Sequence, residues 1–302
     1  MKVLIIGLGS IAQKHISVLK IVEPGIVIYA LRSSTNCTNE KDVTNIYIWE
    51  DIPENIDFII ISNPTSEHLT TIHKAIQQQV PLFIEKPPIA DLVNAKELID
   101  KIKKNNTITY AAFNFRFHPV MKWLKENVSS KKIIEAQAYC GSYLPDWRQG
   151  MDYRKVYSAN KILGGGVHLD LIHELDYIKY LFGLPKSVNS FLSKKSDLEI
   201  DSIDCAHYWL EYNKMNVSVI LNYYRRDAKR FLELVCEDDT LVADFILFKV
   251  TNSSGKVLFK TKPNVMIMYE EQMRYFINCI KTDKKPMNSI EESIQTLKIC
   301  LT

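Results

Sequence analysis

The chain of 302 residues is 46% hydrophobic and 24% charged, with a net charge of +3. At about 150 residues per domain, this length predicts roughly two domains. The composition excludes a disordered, collagen-like or low-complexity protein, and so small a charge does not indicate nucleic acid, whose binding needs clustered Lys and Arg.

The sequence carries no sign of a membrane segment or a leader. No apolar run approaches the ~18 residues of a membrane helix, and the start, MKVLIIGLGS, lacks the apolar stretch and cleavage site of a signal peptide. The six cysteines are widely spaced and include no CxxC pair, which favours neither a disulfide framework nor a metal site. We therefore expect a cytoplasmic protein with no membrane partner and no metal.

The first part of the chain alternates apolar runs with helical patterns. Strands are predicted over 2–6, 26–31, 57–62, 81–84 and 107–114. Helices are predicted after the first strand as far as Lys20, and over 67–79 and 91–104. Strands that alternate with helices predict βαβ units and a parallel sheet.

The pattern changes after about Pro119. A helix is predicted over Val120–Asn127, a second over Gly165–Phe182, and two more end the chain at 265–281 and 290–301. The remaining segments are predicted strands, at 133–140, 187–192, 204–212, 216–224, 231–237, 241–245 and 256–259. Successive strands without intervening helices favour an antiparallel sheet.

A glycine turn joins the first strand to the first helix. Gly7-Leu8-Gly9-Ser10-Ile11-Ala12 fits the pattern GxGxxA. The first glycine permits a tight turn, the second lets the backbone approach a pyrophosphate, and the third small residue lets the helix pack closely. The turn predicts dinucleotide binding by Gly7, Gly9, Ser10, Ile11 and Ala12; the alternative is a glycine-rich turn without a ligand.

The end of the second strand indicates which dinucleotide is bound. An acidic residue there would bond the ribose 2′-hydroxyl of NAD, but the chain has Arg32 and Ser33. An arginine beside hydroxyls suits a 2′-phosphate, so NADP is favoured over NAD. The alternatives are that Arg32 stacks on the adenine of NAD or is only solvated.

Four segments in this order resemble the Gfo/Idh/MocA oxidoreductases, such as glucose–fructose oxidoreductase and inositol dehydrogenase. They are GLGSIA at 7–12, SNPTSEH at 62–68, EKP at 85–87 and GGGVHLDLIHELD at 164–176. The resemblance implies an α/β protein with an N-terminal Rossmann NAD(P)-binding domain, 1–119. It also implies a C-terminal α+β domain, 120–302, that binds substrate through an open, mostly antiparallel sheet and forms a homodimer or homotetramer.

The resemblance also implies further cofactor contacts. They are Asn63, Pro64, Thr65, His68, Glu85 and Lys86. The alternative for His68 is that it bonds only backbone. The resemblance places Lys86 beside the nicotinamide and the reacting carbon, after a strand and before a cis bond to Pro87. Its ammonium would then polarise a carbonyl or relay a proton.

Asp170 and His173 follow the three glycines on one predicted helix. Residues at i and i+3 share a helix face, and an acid beside an imidazole suits a general base. We expect His173 to be the base and Asp170 its orienter or a substrate ligand, converging with Lys86 on the cofactor. Many relatives place the two at i and i+4, and the alternative is that His173 is a packing or capping residue while Lys86 alone moves the proton.

Two segments combine aromatic and polar side chains that suit a substrate. The predicted substrate contacts are Asn114, Arg116, Trp147, Arg148, Tyr153, Arg154, Asp170 and His173. Aromatic faces hold sugar rings and Arg grips carboxylate or phosphate, which indicates an anionic sugar or a nucleotide sugar. The alternatives are an aromatic loop packed on the domain interface and a hinge near Asn114.

The basic run 225–230 is predicted to be a solvated hairpin turn, or else a phosphate contact.

The predicted activity is hydride transfer between a nicotinamide and a carbinol or carbonyl carbon of a sugar derivative. Two alternatives remain open at this point. One is redox-assisted elimination or glycoside hydrolysis on the same fold. The other is a dinucleotide-binding sensor without catalysis.

Overall fold

The computed structural model describes residues 1–35 and 39–302, so Cys37 lies outside the described residues. The chain divides into two compact units, one of residues 1–114 and 269–297, the other of residues 115–268 and 298–302. This division differs from the two continuous segments predicted from sequence, because residues 269–297 pack with the N-terminal part. Phe276, for example, lies with its ring centroid 5.6 Å from that of Phe58.

The first unit contains a six-stranded parallel sheet. Its strands are β1 (Lys2–Ile6), β2 (Val27–Leu31), β3 (Val43–Ile46), β4 (Phe58–Ile61), β5 (Leu82–Ile84) and β6 (Thr109–Ala111), in the order β3-β2-β1-β4-β5-β6. Every residue of β4 and β5 is buried. Such continuous apolar runs are typical of strands covered on both faces, and the parallel prediction is confirmed.

Eight α-helices lie within the described residues. They are α1 (Ser10–Val22), α2 (Thr65–Ala75), α3 (Ala95–Lys104), α4 (Pro119–Asn127), α5 (Val167–Asp170), α6 (His173–Phe182), α7 (Met266–Lys281) and α8 (Ile290–Cys300). None of the helices in the described part of the chain is long and apolar enough to cross a membrane.

The second unit contains an eight-stranded sheet. Its strands are β7 (Ile133–Tyr143), β8 (Ser187–Ser193), β9 (Cys205–Glu211), β10 (Asn216–Asn222), β11 (Tyr224–Cys236), β12 (Thr240–Asp244), β13 (Lys249–Asn252) and β14 (Val257–Lys260). The order is β14-β13-β12-β11-β7-β10-β9-β8. Only β7 and β10 pair in parallel among these strands, so the mostly antiparallel prediction is confirmed.

Two local predictions were wrong. The helix expected over Gly165–Phe182 is two helices, because the chain leaves helical geometry at Leu171 between α5 and α6. The basic run expected to form a hairpin turn lies inside β11 instead. A register shift between Tyr224 and Lys229 against β7 accommodates this run within the strand.

The two faces of the second sheet differ in polarity and cover. Along β9, Ala206, Tyr208 and Leu210 are buried, whereas His207 and Trp209 between them are exposed. This period of two is that of a strand with one covered face. We call the side that bears Trp209 the open face and the other side the covered face.

Candidate active site

The glycine turn has the geometry that a dinucleotide requires. Gly7 adopts φ +86°, and a Cβ there would lie 2.5 Å from the backbone of Asn63. Only glycine fits such a position. A Cβ on Gly9 would meet no heavy atom within 4 Å, so space remains beside the first turn of α1. Ala12 is fully buried, which lets α1 pack closely on the sheet.

The loop after β4 is fixed against this turn. The Ser62 hydroxyl donates to the carbonyl oxygen of Gly7 at 2.8 Å. The Asn63 amide donates to the Thr71 hydroxyl at 2.8 Å. Its own amide oxygen is buried and lacks a hydrogen-bond partner among residues 1–35 and 39–302. Thr65 is buried and Pro64 exposed at the start of α2.

His68 links two backbone segments. It is 1% exposed, with Nε2 2.9 Å from the carbonyl oxygen of Asn63 and Nδ1 3.0 Å from that of Pro87. Burial lowers the pKa of His68, and a neutral imidazole donates a single N–H to one of these carbonyls. The arrangement favours the alternative in which His68 bonds only backbone over a direct cofactor contact.

Lys86 follows a buried polar pair at the end of β5. His15 of α1 places Nε2 2.6 Å from Oε1 of Glu85, and the two side chains are 0% and 12% exposed. Oε2 of Glu85 accepts the backbone N–H of Lys86 at 3.2 Å. The peptide bond between Lys86 and Pro87 is cis, as the resemblance implies. Lys86 itself is half-buried.

These segments lie at one edge of the sheet. The strands β1, β4 and β5 are neighbours and run in parallel, so their carboxyl ends meet at the same edge, where ligands of such sheets bind. Lys86 is therefore two strand spacings, about 10 Å, from the glycine turn. The glycine turn and Lys86 thus lie along the same edge of the sheet within the first unit.

Arg32 follows β2 at the same edge. Its side chain is half-buried, and Nη1 donates to the amide oxygen of Asn45 at 3.3 Å. Ser33 is exposed beside it. Residues 36–38 lie outside the described part of the chain.

Asn114 ends the first unit. It is 6% exposed, and its amide oxygen is buried without a hydrogen-bond partner among the described residues. A buried acceptor without a donor is costly in a folded protein. A ligand hydroxyl would supply one, which keeps Asn114 among the candidates.

In the second unit, Asp170 ends α5 in a buried site. Its side chain is 6% exposed, and the hydroxyl of Tyr223 donates to Oδ2. Tyr223 is fully buried, and burial together with the Asp170 charge raises its pKa well above the ordinary value. The tyrosine therefore stays a hydrogen-bond donor to the carboxylate.

His173 opens α6 against an aromatic ring. Its imidazole is 5.2 Å from the ring centroid of Phe115, and the residue is 9% exposed. Because α5 and α6 are separate helices, the predicted single helix face shared by Asp170 and His173 does not exist. Their side chains are instead placed by different neighbours, Tyr223 for the first and Phe115 for the second.

A buried ion pair fixes the start of α6. Arg230 of β11 donates through Nε and Nη2 to the two oxygens of Glu174, at 2.6 and 3.0 Å. Burial opposes the charge on Arg230, but the Glu174 carboxylate raises its pKa overall. The guanidinium also lies 3.6 Å from the ring centroid of Phe115. The ring that contacts His173 is thus held by the same arginine.

Arg116 has a structural role in this unit. It is 6% exposed and forms a bidentate pair with Asp176, at 2.8 Å through Nε and 2.7 Å through Nη2. Asp176 is fully buried. The prediction that Arg116 binds substrate is not supported, because the carboxylate of α6 occupies its guanidinium fork.

The aromatic segment 143–157 divides between the two faces of the sheet. Trp147 donates to the Ser142 hydroxyl at 2.8 Å and packs edge-on against Tyr223, 5.2 Å between centroids. Its contact with Tyr223 places Trp147 on the covered face with Asp170. Nη1 of the neighbouring Arg148 is buried without a hydrogen-bond partner among the described residues. Trp147 and Arg148 therefore remain candidate substrate contacts.

Arg154 and Tyr153 lie elsewhere. Arg154 is exposed and binds Asp152 at 2.9 Å and Glu199 at 2.9 Å. The hydroxyl of Tyr153 accepts the backbone N–H of Glu199 at 3.3 Å. These contacts tie a surface turn to a neighbouring loop, so a substrate role for Arg154 is not supported.

Sequence reasoning missed three contributors to these sites. They are His15, Tyr223 and the pair of Glu174 with Arg230. Each acts through a partner at least 53 residues away along the chain, so no local sequence pattern indicates the contact. In the described part of the chain, no group of three or more His, Cys, Asp or Glu side chains is placed to hold a metal.

Comparison with known proteins identifies the class. The family model described as "Oxidoreductase family, NAD-binding Rossmann fold" matches residues 1–113, and the model of the GFO/IDH/MocA C-terminal domain matches residues 121–242. The chain belongs to the Gfo/Idh/MocA family of NAD-binding oxidoreductases, as its motifs predicted.

Individual relatives are distant but extend over the chain. The myo-inositol 2-dehydrogenase of Thermotoga maritima is 26% identical, covering 98% of this chain and 93% of its own. A crystal structure of myo-inositol 2-dehydrogenase from Lactobacillus plantarum has a TM-score of 0.82 at 22% identity, with 100% and 95% coverage. Levoglucosan dehydrogenase in complex with NADH has a TM-score of 0.85 at 16% identity, with 99% and 95% coverage. The last two likenesses show the fold alone.

Proposed function

We propose that this protein is an NAD(P)-dependent dehydrogenase or reductase of a sugar or polyol derivative with an anionic group. The observation that carries the proposal is the shared edge of β1, β4 and β5, where a glycine turn and a half-buried lysine lie about two strand spacings apart. The relative named myo-inositol 2-dehydrogenase supports a sugar or polyol substrate. The anionic group is proposed from Arg148, whose Nη1 is buried without a hydrogen-bond partner among the described residues.

The residues at this edge fit a dinucleotide. Gly7 permits the tight turn against Asn63, Gly9 leaves open space beside the backbone, and the first N–H groups of α1 lack intrahelical partners, which suits phosphates. Ser10, Ile11 and Ala12 complete the turn, while Asn63, Pro64 and Thr65 form the next loop. Arg32 and Ser33 favour NADP through contact with a 2′-phosphate. The bound nicotinamide would supply the site that accepts or donates a hydride.

Lys86 orients the reacting oxygen of the substrate in this proposal. An ammonium at the carboxyl end of β5 donates a hydrogen bond to a hydroxyl or carbonyl oxygen and stabilises negative charge that develops there. The His15–Glu85 pair fixes the backbone that carries it.

His173 moves the hydroxyl proton, and Asp170 binds or orients the substrate beside it. Trp147 and Arg148 contribute an apolar surface and a cation for a sugar ring and its anion. Tyr223 and Phe115 hold Asp170 and His173 in place. An alcohol that loses its hydroxyl proton to His173 and a hydride from the same carbon becomes a carbonyl, so charge and atoms balance.

We also propose that two or more copies associate through the part of the open face that β8 and β9 form in the second sheet. Phe191 and Trp209 on this face are 74% and 47% exposed, and large exposed apolar side chains mark interaction surfaces. Sedimentation of the wild type and of Trp209→Glu tests this: an assembly that the charge weakens is expected, and a monomeric wild type contradicts it.

Nicotinamide absorbance, followed with inositols, sugar acids and nucleotide sugars in both directions, tests the activity. Stoichiometric formation of the reduced cofactor with an anionic sugar or polyol is the expected result. Tight dinucleotide binding without turnover of any substrate would contradict the proposal.

A further inference from the structure

A cavity of about 530 Å³ opens on the second unit. Three tyrosines, Tyr143, Tyr153 and Tyr224, form its walls, together with Lys195 and Arg226. We call it the tyrosine pocket. Its volume is within the range of roughly 300–1,000 Å³ that small-molecule sites occupy.

The tyrosine pocket lies on the opposite side of the sheet from Asp170. Tyr143 and Tyr224 are paired directly across β7 and β11, and the hydroxyl of Tyr224 donates to Sγ of Cys205 at 3.2 Å. Cys205, His207 and Trp209 are each two residues apart along β9, so all three point to the open face. Tyr223, the preceding residue, points to Asp170 on the covered face. The pocket is therefore separate from the Asp170 site.

The loop that forms one wall is held rigidly. The fully buried carboxylate of Asp204 accepts the backbone N–H of Lys195 at 2.7 Å and that of Ser196 at 3.0 Å. The Ser196 hydroxyl adds a third bond to the same carboxylate. Three donors on one buried acceptor fix the loop before any ligand arrives, which lowers the entropic cost of binding.

Two cations of the pocket are available to a ligand. Lys195 and Arg226 are exposed, and neither forms an ion pair within residues 1–35 and 39–302. The Arg226 guanidinium lies 3.5 Å from the ring centroid of Tyr143. This contact orients the guanidinium and covers one face of that ring, which prevents a base from stacking there. The rings of Tyr153 and Tyr224 remain for an apolar face of the ligand.

We propose that the tyrosine pocket is a second ligand site, which binds a monosaccharide that carries a phosphate or carboxylate. Arginine and lysine pair with such anions through charge-assisted hydrogen bonds. Tyrosine rings cover the carbon face of a sugar and offer hydroxyls to its own hydroxyls. The single acid of the pocket, Asp197, is exposed on the same loop and leaves one net positive charge there.

Isothermal titration calorimetry on the full chain without cofactor tests the site. The probes are glucose 6-phosphate, glucuronate and neutral glucose, which separate phosphate, carboxylate and sugar ring. We expect saturable binding of at least one anionic probe, tighter than that of glucose. Arg226→Gln is expected to weaken it about tenfold or more, the effect of removing one charge-assisted hydrogen bond.

Lys229→Gln is the matched control, because it removes an exposed charge from the same strand outside the pocket, and it is expected to bind like the wild type. Asp170→Asn separates the two sites: binding that this variant abolishes belongs to the proposed active site and overturns the inference. Equal binding by Arg226→Gln and Lys229→Gln, or no saturable binding of either anion, also overturns it. If Asp170→Asn does not fold, the Arg226→Gln and Lys229→Gln comparison alone decides. None of these readouts needs turnover, so failure of the proposed activity leaves the test intact.

Discussion

His15 and Glu85 form a buried pair, 2.6 Å between Nε2 and Oε1, that joins the helix after the glycine turn to the residue before Lys86. The other carboxylate oxygen accepts the Lys86 backbone N–H. One carboxylate therefore connects the dinucleotide turn to the backbone of the proposed catalytic lysine. His15 is a positioning residue in this arrangement.

Replacement of His15 by Leu is expected to lower the free energy of unfolding by about 3 kcal/mol, because Glu85 remains buried without its partner. His15→Gln, which retains a hydrogen-bond donor, is expected to lose less stability than His15→Leu and to keep more of the wild-type kcat. Chemical denaturation and steady-state kinetics measure both. Equal stability of His15→Leu and wild type would contradict the role of the pair.

Lys86→Met is expected to lower kcat by about 10²–10⁴-fold, the range for loss of a group that moves or stabilises a proton. Dinucleotide binding is expected to persist, because the glycine turn is untouched. Fluorescence titration with NADPH and turnover assays check the two parts. Lys96→Met, on the exposed side of α3, is the control and is expected to match the wild type; full activity of Lys86→Met would refute the assignment.

Arg32→Ala is expected to weaken NADP binding by about 10–100-fold, the equivalent of charge-assisted hydrogen bonds to a phosphate. NAD affinity should change little, because NAD lacks the 2′-phosphate. Equilibrium titrations with both dinucleotides give the ratio. A parallel loss for NAD would indicate that Arg32 contacts the adenine or supports the loop instead.

Tyr223→Phe removes a donor from the buried carboxylate of Asp170. We expect kcat to fall about tenfold and the acidic limb of its pH profile to move to higher pH, because a carboxylate that loses a hydrogen bond holds its proton more tightly. Tyr212→Phe removes a tyrosine hydroxyl that bonds the Gly183 carbonyl oxygen, and its profile should be unchanged. If kcat of Tyr223→Phe falls at every pH while the acidic limb stays at the wild-type pH, Tyr223 has only a packing role.

His118 predicts a pH dependence of stability. Nε2 donates to the Phe245 carbonyl oxygen at 3.1 Å and Nδ1 accepts the Val120 N–H at 3.1 Å, so the neutral ring satisfies both partners. Burial lowers its pKa to about 4. The unfolded chain therefore takes up the proton first, and the stabilisation present above about pH 6.5 is lost as the pH falls towards 4.

The loss amounts to about 3 kcal/mol for this group. His168, whose pKa burial also lowers to about 4, adds a loss in the same window. Chemical denaturation between pH 4 and 7 measures the free energy of unfolding, whose dependence on pH should therefore be shallower for His118→Gln than for wild type. His207→Gln, at an exposed position, should keep the wild-type slope, and an unchanged slope in His118→Gln would count against the neutral ring.

Features with a local cause were predictable from the sequence. The glycine turn was, because the steric demands on Gly7 and Ala12 act within one strand and helix. β3 and β13 were missed, since VTNI and KVTN are short and at least half polar and become strands only by pairing with β2 and β12. The single helix through Asp170 and His173 was wrong, because the helical pattern of apolar residues does not reveal the break at Leu171.

The roles of individual arginines depended on tertiary partners. The sequence predicted anion-binding or solvent-exposed roles for three arginines, Arg116, Arg154 and Arg230. In the structure, a carboxylate from a distant segment binds each of them. Arg148, by contrast, keeps a buried guanidinium nitrogen without a hydrogen-bond partner in the described residues. Only the fold separates an arginine that neutralises a buried acid from one that can serve a ligand.

Tyr223 and Tyr224 are consecutive residues that serve opposite sides of one sheet. A molecule that rearranges the tyrosine pocket must act on the same stretch of backbone that supports the donor to Asp170. If occupancy of one side alters the affinity of the other, the law of linked equilibria makes the influence reciprocal and equal in magnitude. Bound substrate would then change the affinity of the tyrosine pocket for its sugar by the same factor by which that sugar changes the affinity for substrate.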